Sequence, residues 1–149
     1  MSKLLAAQEI ANCTCLRLRK AARRFTQIYD EMLEPAGLTL PQFNLIAQLY
    51  AAEGLSVGDL AESLFTDPTT LTRNLKPLIE RQLVEVHQAE DDRRRRAIVL
   101  TPAGRGLLPI AYPLWRKAQS HVENLLGENE TARLNKMLDR SLDRLTSGV

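Results

Sequence analysis

The chain has 149 residues, 44% hydrophobic and 26% charged, enough apolar material for a buried core and too much for a disordered chain. A formal net charge of +2 does not by itself argue for nucleic acid; the distribution does, with basic residues gathered at Arg17–Arg24 and Arg93–Arg96. No apolar run reaches the ~18–20 residues of a membrane span, and the first ten residues lack the long apolar core of a signal peptide, so a cytoplasmic chain without membrane contact is expected.

Residues Met1–Ala11 read as a short helical lead with Ser2 as a cap. Asn12 either caps a new helix or lies within a continuous one. From Cys13 to Leu33 the period is helical: Leu18, Ala22, Phe25, Tyr29 and Met32 share one face, and Arg17, Lys20, Arg23 and Arg24 occupy the others. Pro35 and Gly37 end that helix. Thr39 caps the next, with Gln42 three residues on and Phe43, Ile46, Ala47, Leu49 and Tyr50 following, until Gly54 stops it.

The stretch Leu55–Thr101 organises the rest. Ser56 caps a short helix with Asp59 placed to reciprocate, and Asp67 caps another whose first position is Pro68, where a missing N–H costs nothing. Val57, Leu60, Ala61 and Leu64 form one apolar stripe, and Leu71, Leu75, Leu78 and Ile79 a second. Thr69, Thr70, Thr72, Arg73 and Lys76 are left facing outward on the second helix. Hydroxyls and cations on the first turns of an exposed helix are what a helix-turn-helix offers the major groove. Val84 and Val86 alternate with Glu85 and His87 as a strand, Ala89–Asp92 make a turn, and Ala97–Leu100 return. The hairpin tip is thus cationic, with Arg93, Arg94, Arg95 and Arg96 behind Asp92.

Thr101 and Pro102 open a long helix through Leu126, with Pro109 and Pro113 inside it, each expected to bend it. Gly127 ends it, and Leu134, Met137, Leu138, Leu142 and Leu145 mark a last amphipathic helix. These terminal helices carry more apolar surface than one small winged domain covers. They are expected to pack across a twofold axis as a homodimer, which suits a pseudo-palindromic duplex with half-sites about one helical turn apart. The fold class that follows is mainly α with a small α+β winged helix-turn-helix. Its DNA-binding domain spans 38–101, and residues 1–37 with 102–149 form a helical dimerisation region.

The order helix, helix, helix-turn-helix, wing, long helix, helix resembles the MarR family of bacterial transcriptional regulators over nearly the whole chain. The most specific piece is Asp92-Arg93-Arg94 followed, after a five-residue strand, by Leu100-Thr101-Pro102-Ala103-Gly104. Gly37 to Phe43, Leu60-Ala61-Glu62 and Thr72-Arg73 support it. The resemblance implies that recognition helices enter the major groove of double-stranded DNA and wings the flanking minor grooves, Arg94 being the minor-groove arginine and Asp92 holding the tip. An arginine in a narrow minor groove is favoured electrostatically, and Arg93, Arg95 and Arg96 would add salt-dependent phosphate contacts. Two positions depart from the family pattern: Pro77, inside the recognition helix, should kink it near Arg73, and Gln82 stands where a helix-ending Gly is frequent.

Cys13 and Cys15 stand too close on one helix to bridge each other comfortably. Cys15 lies on the stripe of Leu18 and Ala22 and reads as a small buried hydrophobe. The resemblance offers a second reading, because organic-hydroperoxide sensors of the family carry a reactive thiol near the start of the first helix. Tyr29 matches an assisting tyrosine of those sensors, while Arg19 and Leu40 replace two further ones. Arg17, one turn from Cys13, would favour a thiolate there. An alternative effector is a small aromatic acid held by Arg17, Arg19, Arg23 and Arg24, with Phe25, Tyr29, Phe43 and Trp115 as walls; solvent exposure or dimer salt bridges are the plainer reading of those arginines. His87 and His121 are isolated and do not make metal spacing with Cys-x-Cys. Neither a metal nor another cofactor is expected. No paired carboxylates, catalytic triad or phosphate loop argues for an enzyme. A protein-binding winged helix without DNA contact is the remaining alternative.

Overall fold

The computed structural model describes residues 9–88 and 96–148, so the body of the expected lead helix and the hairpin tip, including Asp92, Arg93, Arg94 and Arg95, lie outside the described residues. The elements run α1 Thr14–Leu33, a 3-10 turn Glu34–Ala36, α2 Leu40–Ala51, α3 Val57–Ser63, α4 Pro68–Glu80, β1 Val84–Gln88, β2 Arg96–Leu100, α5 Pro102–Leu126 and α6 Glu128–Ser147. Residues 9–11 are helical, Asn12 is in a turn, and Cys13 stands outside the helix. A new helix therefore starts at Thr14, with the Cys13 carbonyl accepting from Arg17 N at 3.2 Å. The Arg17 guanidinium folds back on Asn12, donating to Oδ1 at 2.8 Å and to the carbonyl at 3.2 Å.

Contacts divide the chain into two compact units, Met1–Ile28 with Arg116–Val149, and Tyr29–Trp115. The second, the winged unit, closes around Leu33, Leu38, Phe43, Leu45, Ile46, Leu49, Leu60, Leu71, Leu75, Leu78, Val84, Ile98 and Leu100, all buried. Removing this much apolar surface from water is its main stabilisation. Its sheet is the antiparallel pair β1–β2, in register Val84↔Leu100 through Gln88↔Arg96. Ile98 N also donates to the Leu55 carbonyl at 2.8 Å, which ties the loop before α3 to the strand.

The helical unit holds the first part of α1, the end of α5 and all of α6. Ile28, Ala118 and Val122 are buried within it. Gly127, at φ 91°, makes the turn into α6, and its carbonyl accepts from both Thr131 N and Thr131 Oγ1 at 2.9 Å. Leu125, Leu126, Met137, Leu138, Leu142 and Leu145 are exposed.

Several expectations need correcting. Ile79, assigned to the buried stripe of α4, is exposed, because its angle sets it at the edge of the stripe of Leu71, Leu75 and Leu78, on the side of Thr72. Tyr50 and Leu18 are also open, and Cys15 is exposed and not a buried hydrophobe. The expected prolines stand inside continuous helices, Pro77 within the 13 residues of α4 and Pro109 with Pro113 within the 25 of α5. Pro109 and Pro113 are exposed, so carbonyls left without an N–H partner can turn to water.

Candidate nucleic-acid interface

Both helices of the helix-turn-helix are capped as the residues demand. The Ser56 hydroxyl accepts from Asp59 N at 3.1 Å, while the Asp59 carboxylate accepts from Ser56 N at 2.8 Å and from the hydroxyl at 2.7 Å. Asp67 accepts from Thr70 N at 2.8 Å and from the Thr70 hydroxyl at 2.6 Å. These two bonds, the side-chain one first, hold its carboxyl below the ordinary value of 3.8. The cap keeps the first turn of α4 formed at the surface of the protein. On α2 the companion bond runs from Thr39 N to Gln42 Oε1 at 3.1 Å.

The turn between α3 and α4 contains a residue that sequence reasoning missed. Phe65 takes a left-handed φ of 50°, its N–H bonded to the Glu62 carbonyl and that of Thr66 to the Ala61 carbonyl. This is a Schellman ending with phenylalanine where glycine is easiest. The Phe65 side chain is exposed. Nothing in an aromatic residue signals positive φ, so only its place between two caps could have hinted at the turn.

Helix α4 buries Leu71, Leu75 and Leu78 and exposes Pro68, Thr69, Thr72, Arg73 and Lys76. Of the three threonines expected to face outward, Thr70 is half-buried and engaged with Asp67. The Thr72 hydroxyl donates to the Pro68 carbonyl at 2.8 Å. Arg73 and Lys76 are solvent-facing cations, the latter 3.8 Å from Glu80 in an exposed pair that contributes little.

The far end of α4 is held from three sides. Gln82 adopts a left-handed φ of 56°, and the N–H groups of Gln82 and Leu83 donate to the carbonyls of Ile79 and Leu78, each at 2.9 Å. The turn thus forms without the family's glycine, in a conformation that costs a residue with a Cβ about 1 kcal/mol. The Thr101 hydroxyl donates to the Gln82 carbonyl at 2.7 Å and accepts from Gly104 N at 3.0 Å, while Thr101 N donates to the Leu83 carbonyl at 3.1 Å. A Cβ on Gly104 would lie 2.0 Å from the Leu83 carbonyl oxygen, so only glycine permits this approach. Thr101 and Gly104 of the Leu100–Gly104 motif are therefore the joint between α4, the hairpin and α5. Arg81 adds a third hold by donating to the Gly37 carbonyl at 2.6 Å.

The hairpin rises from this joint. Arg96, the first residue of β2, is exposed opposite Gln88. His87 is exposed and 2.9 Å from Glu85, two residues before it.

The effector candidates fall into separate groups. In the helical unit, Arg19 and Arg23 border an open cavity of about 380 Å³ with Ala22, Thr26 and Gln27. Arg24 and Phe25 border another, of about 260 Å³, with Ile28, Val122 and Leu125. Cys13 and Cys15 are exposed thiols near the start of α1. In the winged unit, Phe43 stacks on Trp115 at 5.9 Å between ring centroids, and Trp115 on Tyr112 at 5.7 Å. Tyr112, not anticipated as a candidate, lies three residues before Trp115 on α5, one turn away. Tyr29 is buried there.

Comparison with known proteins agrees with this architecture. Residues 36–95 match the model of the MarR family. The chain is 36% identical over 100 residues to the HTH-type transcriptional regulator TtmR of Methylorubrum extorquens, covering 67% of this chain and 51% of that one. It is 31% identical over 96 residues to the organic hydroperoxide resistance transcriptional regulator of Bacillus subtilis, covering 64% and 65% respectively. The chain thus spans about half to two thirds of the length of these relatives. Among solved structures, the transcriptional regulator MosR of M. tuberculosis superposes with a TM-score of 0.78 at 34% identity, over 93% of this chain and 98% of that one. The same regulator in complex with DNA gives 0.70 at 35%, over 87% and 98%. The chain belongs to the MarR family of winged-helix, DNA-binding transcriptional regulators, with partial similarity to its organic-hydroperoxide branch.

Proposed function

We propose that the protein is a dimeric repressor that grips a pseudo-palindromic operator with α4 in the major groove and its hairpin in the adjoining minor groove. The observation that carries this reading is the α4 face itself, on which Thr69, Thr72, Arg73 and Lys76 stand exposed on a capped helix beside the hairpin. The dimer would form through residues 1–37 and 102–149, and the leucines exposed on α5 and α6 support that assignment. Arg94 reads minor-groove width, Asp92 holds the tip, and Arg93, Arg95 and Arg96 neutralise phosphates. Release follows when an effector changes the spacing of the two recognition helices, since one spacing fits both half-sites. A small organic anion is one such effector, and the two arginines bordering one open cavity, Arg19 and Arg23, favour it. The test is Arg94→Ala, which should lower operator affinity tenfold or more with folding unchanged; equal affinity would remove the hairpin from the interface.

A second reading makes the thiols the effector site. It is favoured by the exposure of Cys13 and Cys15 and by similarity to the Bacillus organic hydroperoxide regulator. A thiolate would attack one peroxide oxygen and break the O–O bond, becoming a sulfenic acid while the departing alkoxide takes a proton from water and leaves as an alcohol. Cys15→Ser should then abolish peroxide-induced release from DNA, and release that persists would exclude this thiol.

A further inference from the structure

We propose that α4 recognises a thymine in each half-site by its 5-methyl group, through the methyl of Thr72 and the ring of Pro68, and not by a hydrogen bond donated from Thr72. The proposal rests on the DNA-binding reading above and specifies which feature of a base this helix detects. The Thr72 hydroxyl hydrogen is already committed, because Oγ1 donates to the Pro68 carbonyl at 2.8 Å. Thr70 is engaged in the same way, with its hydroxyl on Asp67 at 2.6 Å. With its hydrogen turned into the helix, Thr72 has none to give the purine N7, guanine O6 or thymine O4 acceptors of the major groove. Its γ-methyl and oxygen lone pairs remain.

Pro68 decides between these two. It is four residues from Thr72, hence on the same strip of helix, and it is exposed. Its ring carries no N–H and presents carbon alone. A methyl and a pyrrolidine ring exposed at this spacing make an apolar step at the leading end of a helix whose next exposed residue, Arg73, is a cation. Thymine carries the one methyl group that the four bases display in the major groove. An amino hydrogen of adenine or cytosine could reach the Thr72 lone pairs, but would find no second polar partner on Pro68.

The experiment uses the full chain and a duplex selected from random sequence. Each thymine of a half-site is replaced in turn by deoxyuridine, which removes the methyl and leaves the hydrogen-bonding edge intact. Binding is measured for the native protein, Thr72→Ser and Thr72→Val. Serine keeps the hydroxyl and loses the methyl; valine keeps methyl groups and loses the hydroxyl. At one position per half-site, deoxyuridine should weaken native binding about fourfold, the worth of one methyl-sized apolar contact. Thr72→Val should retain that penalty, and Thr72→Ser should lose most of it. The proposal is overturned by the absence of any penalty, by a penalty undiminished in Thr72→Ser, or by Thr72→Val losing tenfold or more. Steeply salt-dependent binding without a deoxyuridine penalty removes the methyl reading alone. A native protein that selects no duplex removes the DNA-binding reading and this one with it.

Discussion

In the winged unit Leu60, Leu71 and Leu78 are 0–1% exposed, whereas in the helical unit Leu125, Leu142 and Leu145 stand at 63%, 47% and 73%. The first unit satisfies its apolar residues from within Tyr29–Trp115. The second leaves a row of leucines at helical spacing along α6, with Thr131 as that helix's one buried residue among those described. Large apolar patches rimmed by polar residues mark surfaces made for association. The difference teaches that one unit carries a finished core, while the other leaves its leucines uncovered, as the dimer proposed above requires.

Breaking the finished core should have the largest effect. Gly104→Ala would drive a Cβ into the Leu83 carbonyl and destabilise the winged unit by about 3 kcal/mol. Denaturant midpoints check this, with Gly106→Ala as the control, since a Cβ at Gly106 meets nothing within 4 Å. Breaking the unfinished half comes next. Leu138→Glu with Leu142→Glu should give monomers by sedimentation and weaken operator binding roughly a hundredfold through lost bivalency, with the winged unit still folded. A persistent dimer would place the interface elsewhere.

The smaller tests sharpen the contrast. Gln82→Gly should stabilise the winged unit by up to about 1 kcal/mol by relieving the left-handed φ at 56°. Thermal unfolding reads this, and a loss of stability would mean that the glutamine side chain is itself an anchor. The least effect belongs to Asp67. Its folded pKa is lowered, so its contribution is fully present above the ordinary value of 3.8 and disappears as pH falls through the lower folded value. Asp67→Ala should erase that part of the acid unfolding limb, and an unaltered limb would show that the cap contributes nothing to it.

How much of this is legible in the chain depends on how local the cause is. Ser56 with Asp59 and Asp67 with Thr70 are pairs within four residues, and both form as their chemistry requires. The outward set on α4 follows from its period, so Thr69, Thr72, Arg73 and Lys76 are placed by the same count that buries Leu71 and Leu75. Ile79 escapes that count because its hydropathy suggests burial while its angle on the helix directs it to solvent. Cys15 escapes because burial depends on what covers α1, which periodicity does not reveal. The donor–acceptor choice of Thr72 and the left-handed turn at Phe65 are settled by backbone geometry and leave no trace in residue type. Gln82 is the intermediate case, since the missing glycine marks a turn made under strain.

The Thr101 hydroxyl is shared between the Gln82 carbonyl and the Gly104 N–H. One oxygen atom thereby welds the turn after α4, the foot of the hairpin and the start of α5 into a single claw. Such a claw cannot be loosened finger by finger: a displacement of Thr101 must carry the end of α4 and the foot of the hairpin together. For the operator-bound dimer proposed above, release would then be a shared change in the reach of both elements. Substitutions on the outer face of α4 leave that joint untouched, so under the proposed reading they would change base preference alone.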